Sequence, residues 1–219
     1  MKRIATLTAL AAMATLTAGT ASAANLISNG GFEDGTLTDA DNWQQVAQSP
    51  TRDNTNPNSG SWALKLEATG SDQAGAASVA VQNNIDDGGQ AGLAELSTVD
   101  ISFQYESANG PGGVVFAAGR ILDSGGNIVA DTGLVNLGNN SGYTLVNLPT
   151  LNVPAFGAPP ADEYAVFIEF TAQAGAFDGS FGGGYIDDVV AEGTFVPEPT
   201  SLALLGLGGL LAFRRRRQA

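Results

Sequence analysis

The 219-residue chain contains no cysteine and no histidine, and it has only nine lysine and arginine residues against 22 aspartates and glutamates. Without cysteine, no disulfide can brace the fold and no thiolate nucleophile exists. Without histidine, serine–histidine and cysteine–histidine catalysis, imidazole general bases and the usual zinc sites are excluded together. Carboxylates, hydroxyls, the tyrosines and Lys65 are what remains for chemistry. Also missing is any 3.6-residue apolar period sustained beyond two turns, so no long amphipathic helix is expected in the body of the chain.

The few cations are unevenly placed. Lys2 and Arg3 lie at one end and Arg214, Arg215, Arg216 and Arg217 at the other, so residues 24–196 keep only Arg52, Lys65 and Arg120 against 21 acidic side chains, a net charge of −18. Such a surface repels phosphate backbones and anionic lipid, which argues against nucleic acid as a partner. Divalent cations and neutral or cationic polymers stay open. A purely solubilising role for the charge stands beside these readings.

Both ends read as addresses. Lys2 and Arg3, an apolar stretch over residues 4–18 diluted with threonine, and the small-x-small triplet Ala21-Ser22-Ala23 form a secretory signal peptide over residues 1–23. At the far end, Pro197-Glu198-Pro199 precedes an apolar run over residues 202–213, and the four arginines follow. A helix of about 12 residues spans roughly 18 Å, against a hydrocarbon core of about 30 Å. It crosses only if the arginines snorkel and the bilayer thins, and arginine clusters stay cytoplasmic. A permanent, uncleaved tail anchor is the alternative, disfavoured by Gly206, Gly208 and Gly209 within the helix. This triplet–helix–arginine order resembles the PEP-CTERM sorting signal of Gram-negative, exopolysaccharide-producing bacteria. The resemblance implies export across the inner membrane, transient anchoring by the tail, cleavage near the triplet by an exosortase-type enzyme, and release to the cell surface or biofilm matrix.

Residues 24–196 have the length of one domain. Short apolar or alternating runs separated by Gly, Asn, Asp and Pro mark it as all-β. Strands are expected over 61–68, 76–83, 98–107, 113–123, 127–131, 143–148, 164–172 and 185–192, with a hairpin loop over 123–127. One helical turn is possible over 90–96, and a proline-rich crossing loop is expected over 153–160. Ile101, Phe103 and Tyr105 alternate with Ser102, Gln104 and Glu106, as in a half-buried strand, whereas Val166, Phe167, Ile168 and Phe170 suggest a central one. About eight strands suggest two packed antiparallel sheets, a jelly roll or related sandwich.

The opening Asn29-Gly30-Gly31-Phe32-Glu33, the nearby Trp43, the Ser59-Gly60-Ser61-Trp62 segment and the closing Tyr185-Ile186-Asp187-Asp188 resemble landmarks of galactose-binding-like jelly-roll domains. Carbohydrate-binding modules of bacterial xylanases and glucanases are the nearest type. The resemblance implies that the first and last strands lie together with a structural calcium between them. The ligands it implies are Glu33, backbone oxygens around Asn58 to Ser61, and Asp187. The chemistry is suitable, because calcium takes six to eight mixed carboxylate and carbonyl oxygens. Strand alternation puts Asp187 and Asp188 on opposite faces, and the family pattern favours Asp187. Solvated edge carboxylates are the alternative.

Trp43 and Trp62 read as core residues, since Trp62 shares a stripe with Leu64 and Leu66. Tyr105, Tyr143, Phe177 and Phe181 are the candidate exposed platform for a sugar ring. Paired carboxylates at Asp86-Asp87 and Asp162-Glu163 diverge on an extended chain, so they make a poor hydrolytic pair. The sequence therefore points to an exported, non-catalytic β-sandwich that binds extracellular polysaccharide. A structural matrix protein without a sugar pocket and a carboxylate-based glycan hydrolase are the alternatives.

Overall fold

The computed structural model describes residues 25–48, 50–70, 76–83, 96–123, 125–153 and 165–195. These form twelve strands: β1 (Gln44–Val46), β2 (Thr51–Asp53), β3 (Ala63–Thr69), β4 (Ala76–Asn83), β5 (Leu96–Ser107), β6 (Val114–Leu122), β7 (Ile128–Asp131), β8 (Val135–Asn136), β9 (Thr144–Asn147), β10 (Leu151–Asn152), β11 (Ala165–Ala174) and β12 (Phe181–Phe195). The eight expected strands are all present. The additions β1, β2, β8 and β10 are two or three residues long, too short to show an alternating pattern in sequence. The signal peptide, the sorting residues Pro197, Glu198, Pro199 and Arg214 to Arg217, and the apolar tail lie outside the described residues. So do Asp86, Asp87, Asp162 and Glu163, the crossing loop beyond Val153, and the possible turn up to residue 95; Leu96 begins β5.

Two six-stranded antiparallel sheets pack face to face as a jelly-roll sandwich. The front sheet runs β1-β4-β11-β6-β7, with β8 beside β6; the back sheet runs β10-β5-β12-β3-β2, with β9 beside β5. Alternation sends Val166, Ile168, Phe170 and Ala172 of β11 inward, against Val99, Ile101, Phe103 and Tyr105 of β5 and Leu64, Leu66 and Ala68 of β3. Phe103 meets Phe170 edge-on at 4.9 Å between ring centroids, joining the two sheets. Trp43 completes the core, 5.0 Å from Phe32 and 5.8 Å from Phe170, with its Nε1–H donated to Asn29 O. Trp62 departs from expectation. It is half-buried and outside the core, because β3 begins one residue later and only from Ala63 does alternation govern the side chains.

The ends of the described fold meet. Leu26 N–H donates to Ala191 O at 2.8 Å, and Val189 N–H donates to Gly30 O at 2.9 Å. Asn25 Oδ1 accepts from Ala191 N–H. This contact depends on glycine, since a Cβ at Gly30 would overlap the Val189 carbonyl oxygen, whereas one at Gly31 would find its nearest neighbour, Glu33 Cγ, at 3.9 Å. Gly30→Ala should therefore lower unfolding free energy by roughly 2–4 kcal/mol, while Gly31→Ala changes it by less than about 1 kcal/mol. Urea denaturation of the two variants measures this difference.

Candidate functional site

The residues expected to clamp calcium do come together, on the loop between β2 and β3. Glu33 Oε1 accepts the N–H groups of Ser61 (2.8 Å) and Trp62 (3.0 Å). Asp187 Oδ2 accepts those of Asn58 (2.8 Å) and Ser59 (3.0 Å), and its Oδ1 accepts the Asp188 N–H. Ser61 thus contributes its amide rather than a carbonyl. The loop turns N–H groups toward both carboxylates, whereas a calcium ion would need oxygens turned there. Among the described residues no three acidic side chains gather as a metal site either.

The divergence expected of Asp187 and Asp188 is also corrected. Asp188 sits at φ 49°, and the register of β12 against β5 shifts between Asp187 and Val190. The bulge cancels alternation, so Asp188 reaches the same turn, accepting from Asn58 Nδ2 at 2.8 Å and Ser59 Oγ at 2.6 Å. Asp187 is fully buried, and burial raises its pKa against the lowering pull of the amides it accepts.

The four proposed platform aromatics do not share a face. Tyr105 is fully buried, on the core side of β5 with Ile101 and Phe103, and its hydroxyl escapes to Gly138 O at 3.3 Å. Tyr143 is half-buried against the back sheet and donates to Asn56 O at 2.6 Å. Burial, then Asp187 and Glu106, push its hydroxyl pKa far up. Phe181 is half-buried at the start of β12, and Phe177 alone is well exposed, at 47%, on the β11–β12 turn.

A different constellation occupies the outward face of the front sheet. Phe167 pairs across strands with Arg120, and Thr171 with Phe116, so all four face away from the core. Arg120 donates from Nη1 to Glu169 Oε2 at 2.6 Å and from Nε to Asp131 Oδ2 at 3.4 Å. Its guanidinium lies 5.4 Å from the Phe167 ring centroid. Thr171 Oγ1 donates to the other Glu169 oxygen at 2.9 Å. Gln173 follows in the same row, exposed. At the β1–β4 edge of this face a shallow depression of about 380 Å³ is lined by Asp39, Ala40, Asp41, Asn42, Trp43, Gln44 and Val81. Sequence reading missed this face because β11 is apolar on both sides at Val166 to Ile168. The register that brings Arg120 to Glu169 spans 49 residues, and the one legible signal was the lone Arg120 in an otherwise apolar strand.

One family matches the sequence, described as the PEP-CTERM protein-sorting motif, over residues 195–218. The chain ends in a PEP-CTERM sorting motif. No curated protein matches it. Among solved structures, the enzymatically active domain of tailspike protein 4 of bacteriophage CBA120 is similar at 23% identity and TM-score 0.53, over 77% of this chain and 21% of that one. The chain thus spans about a fifth of the tailspike structure's length. TmCBM61 in complex with β-1,4-galactotriose is similar at 18% identity and TM-score 0.48, over 77% of this chain and 97% of that one. The CBM22-1 xylan-binding domain of Paenibacillus barcinonensis Xyn10C is similar at 11% identity and TM-score 0.49, over 80% and 97%. At 23% identity the likeness to the tailspike domain is one of fold alone.

Asp187→Ala strands three N–H groups, two of them on exposed residues that water can reach, and should cost about 2–3 kcal/mol. Asp188→Asn keeps a residue type tolerant of positive φ and an acceptor for the turn, and should cost less than about 1 kcal/mol. Chemical denaturation midpoints of the two variants, compared at equal m-value, give the test.

Proposed function

We propose that the chain is an exported, non-catalytic polysaccharide-binding protein, sorted to the cell surface or matrix through its PEP-CTERM tail. In this reading the tail holds the membrane until an exosortase-type enzyme processes it, and the sandwich then engages extracellular glycan. The observation that carries the binding role is the outward guanidinium of Arg120, fixed by Glu169 and Asp131 and backed by Phe167. A preorganised donor beside an aromatic ring suits a sugar. The ring packs on the apolar C–H face, and the charged groups, already held in place, meet the hydroxyls with little ordering cost. Phe116 and Gln173 extend the face along β6 and β11, and the exposed Val46 lies across β4 on β1, the strand that borders the Asp39–Gln44 depression.

The net charge of −18 on residues 24–196 disfavours anionic polymers, so neutral or cationic glycans are the expected class. Hydrolysis is disfavoured on this face because Glu169 and Asp131 each commit an oxygen to one guanidinium. A glycosidase instead needs one carboxyl group as acid and the other as nucleophile or base, on either side of the scissile bond.

Retention of the full chain on a panel of polysaccharides tests the reading. Arg120→Met should weaken binding to the best neutral glycan at least about tenfold, and Phe167→Ala by a comparable factor. Phe177→Ala, on the β11–β12 turn, should leave it unchanged. Binding that survives Arg120→Met and fails with Phe177→Ala would move the site to the turn. Retention on no glycan would favour the structural matrix protein, and reducing-sugar release would favour the hydrolase.

A further inference from the structure

We infer that the closure of this sandwich is independent of calcium, with the guanidinium of Arg52 taking the part of a divalent cation in the opening loop. Carbonyl oxygens of that loop converge on one buried side chain. Arg52 donates from Nε to Phe32 O at 2.6 Å, from Nη1 to Gly35 O and Thr36 O at 3.2 Å each, and from Nη2 to Glu33 O. It is 7% exposed, and the Trp62 ring lies 4.0 Å from its Cζ. Four carbonyls around a single positive centre is the arrangement a hard cation would be given. Here the centre is covalently part of the chain, carried by β2.

The backbone of the loop is shaped to this partner. Phe32 sits at φ 55°, an uncommon conformation for a bulky residue, and its carbonyl is one of the four held. The Glu33 residue is gripped from both sides, its carbonyl by Arg52 and its carboxylate by the amides of Ser61 and Trp62. The recorded partners on both sides are N–H groups. The opening-loop carbonyls receive guanidinium donors, and the carboxylates of Glu33 and Asp187 receive backbone donors. A metal ion entering here would have to compete with the hydrogen bonds that Glu33 Oε1, both Asp187 oxygens and four opening-loop carbonyls already make. The other two cations of residues 24–196 are committed elsewhere, Lys65 to Glu67 at 2.7 Å and Arg120 on the front sheet, so Arg52 is the one that serves this loop.

The consequence is that chelators should not unfold the protein. The full chain is melted after exhaustive treatment with a calcium chelator, and again with calcium alone added back. The midpoints should agree within about 1 °C, and titration calorimetry with calcium should show no saturable heat. Arg52→Met should melt at least about 5 °C lower than the parent with and without calcium. Arg52→Lys, which keeps charge but cannot fork to four carbonyls, should also melt lower than the parent in both conditions. A calcium-dependent rise of about 5 °C or more in the parent would overturn the inference, since a site near saturation stabilises by that order. An Arg52→Met protein as stable as the parent would overturn it equally. If Arg52→Met does not fold, Arg52→Lys and the parent's response to calcium decide the outcome.

Discussion

Four backbone amides of one loop, those of Asn58, Ser59, Ser61 and Trp62, are held by two carboxylates from opposite ends of the described fold. The rest of the back sheet depends on that grip. Glu33 arrives before the first strand and Asp187 in the middle of the last, so the loop between β2 and β3 ties the two ends of the described fold a second time, beside the direct contacts of Leu26 and Gly30 with β12. A charged acceptor strengthens each bond, and the buried position of Asp187 makes its partners hard to replace with water. The same loop reaches further across the back sheet. Asn56 donates to Glu106 Oε2 at 3.0 Å and accepts from Tyr143, covering the end of that sheet's outer face.

With the back sheet's outer face partly covered by its own loop, the front sheet is the one left to present an organised surface. Its outer residues combine ion pairing with burial, since Thr171 and Val81 are nearly covered and the Arg120 side chain is 17% exposed. Arg120 is positioned by carboxylates from two neighbouring strands, β7 and β11, and stacks against Phe167 of the latter. A domain with three cations outside its ends spends one on the opening loop, one on a surface pair with Glu67 and one on this face. The acidic remainder repels polyanions, and in the proposed reading the front face is where a neutral polymer would meet aromatic and donor groups together.

Much of the fold was legible in the residues, because the long strands alternate or run apolar between Gly, Asn and Asp breaks. Ile101, Phe103 and Tyr105 illustrate both the strength and the failure of that reading. Alternation puts all three on one face, and placing Tyr105 on an exposed sugar platform set it apart from the apolar pair it follows. A tyrosine can bury its ring and still send its hydroxyl to a carbonyl, as this one does to Gly138. The meeting of Glu33 with Asp187 was legible from end motifs, but the direction of the loop's N–H and C=O groups was not. That direction follows from backbone conformation, including the bulge at Asp188, which no spacing rule reveals. Arg52 was seen only as a charge. Its role depends on four carbonyls whose convergence exists in three dimensions alone. The Arg120–Glu169 pair was hidden for a related reason, since register across strands 49 residues apart is set by tertiary packing.

Amide hydrogen exchange, followed residue by residue in native conditions, interrogates the central tie most directly. If Glu33 and Asp187 hold the β2–β3 loop as described, the amides of Asn58, Ser59, Ser61 and Trp62 should exchange orders of magnitude more slowly than the neighbouring exposed loop amide of Asn54, with protection unchanged by chelator. Exchange of those four at the rate of Asn54, or protection that vanishes when calcium is removed, would contradict a closure made by amides and carboxylates alone.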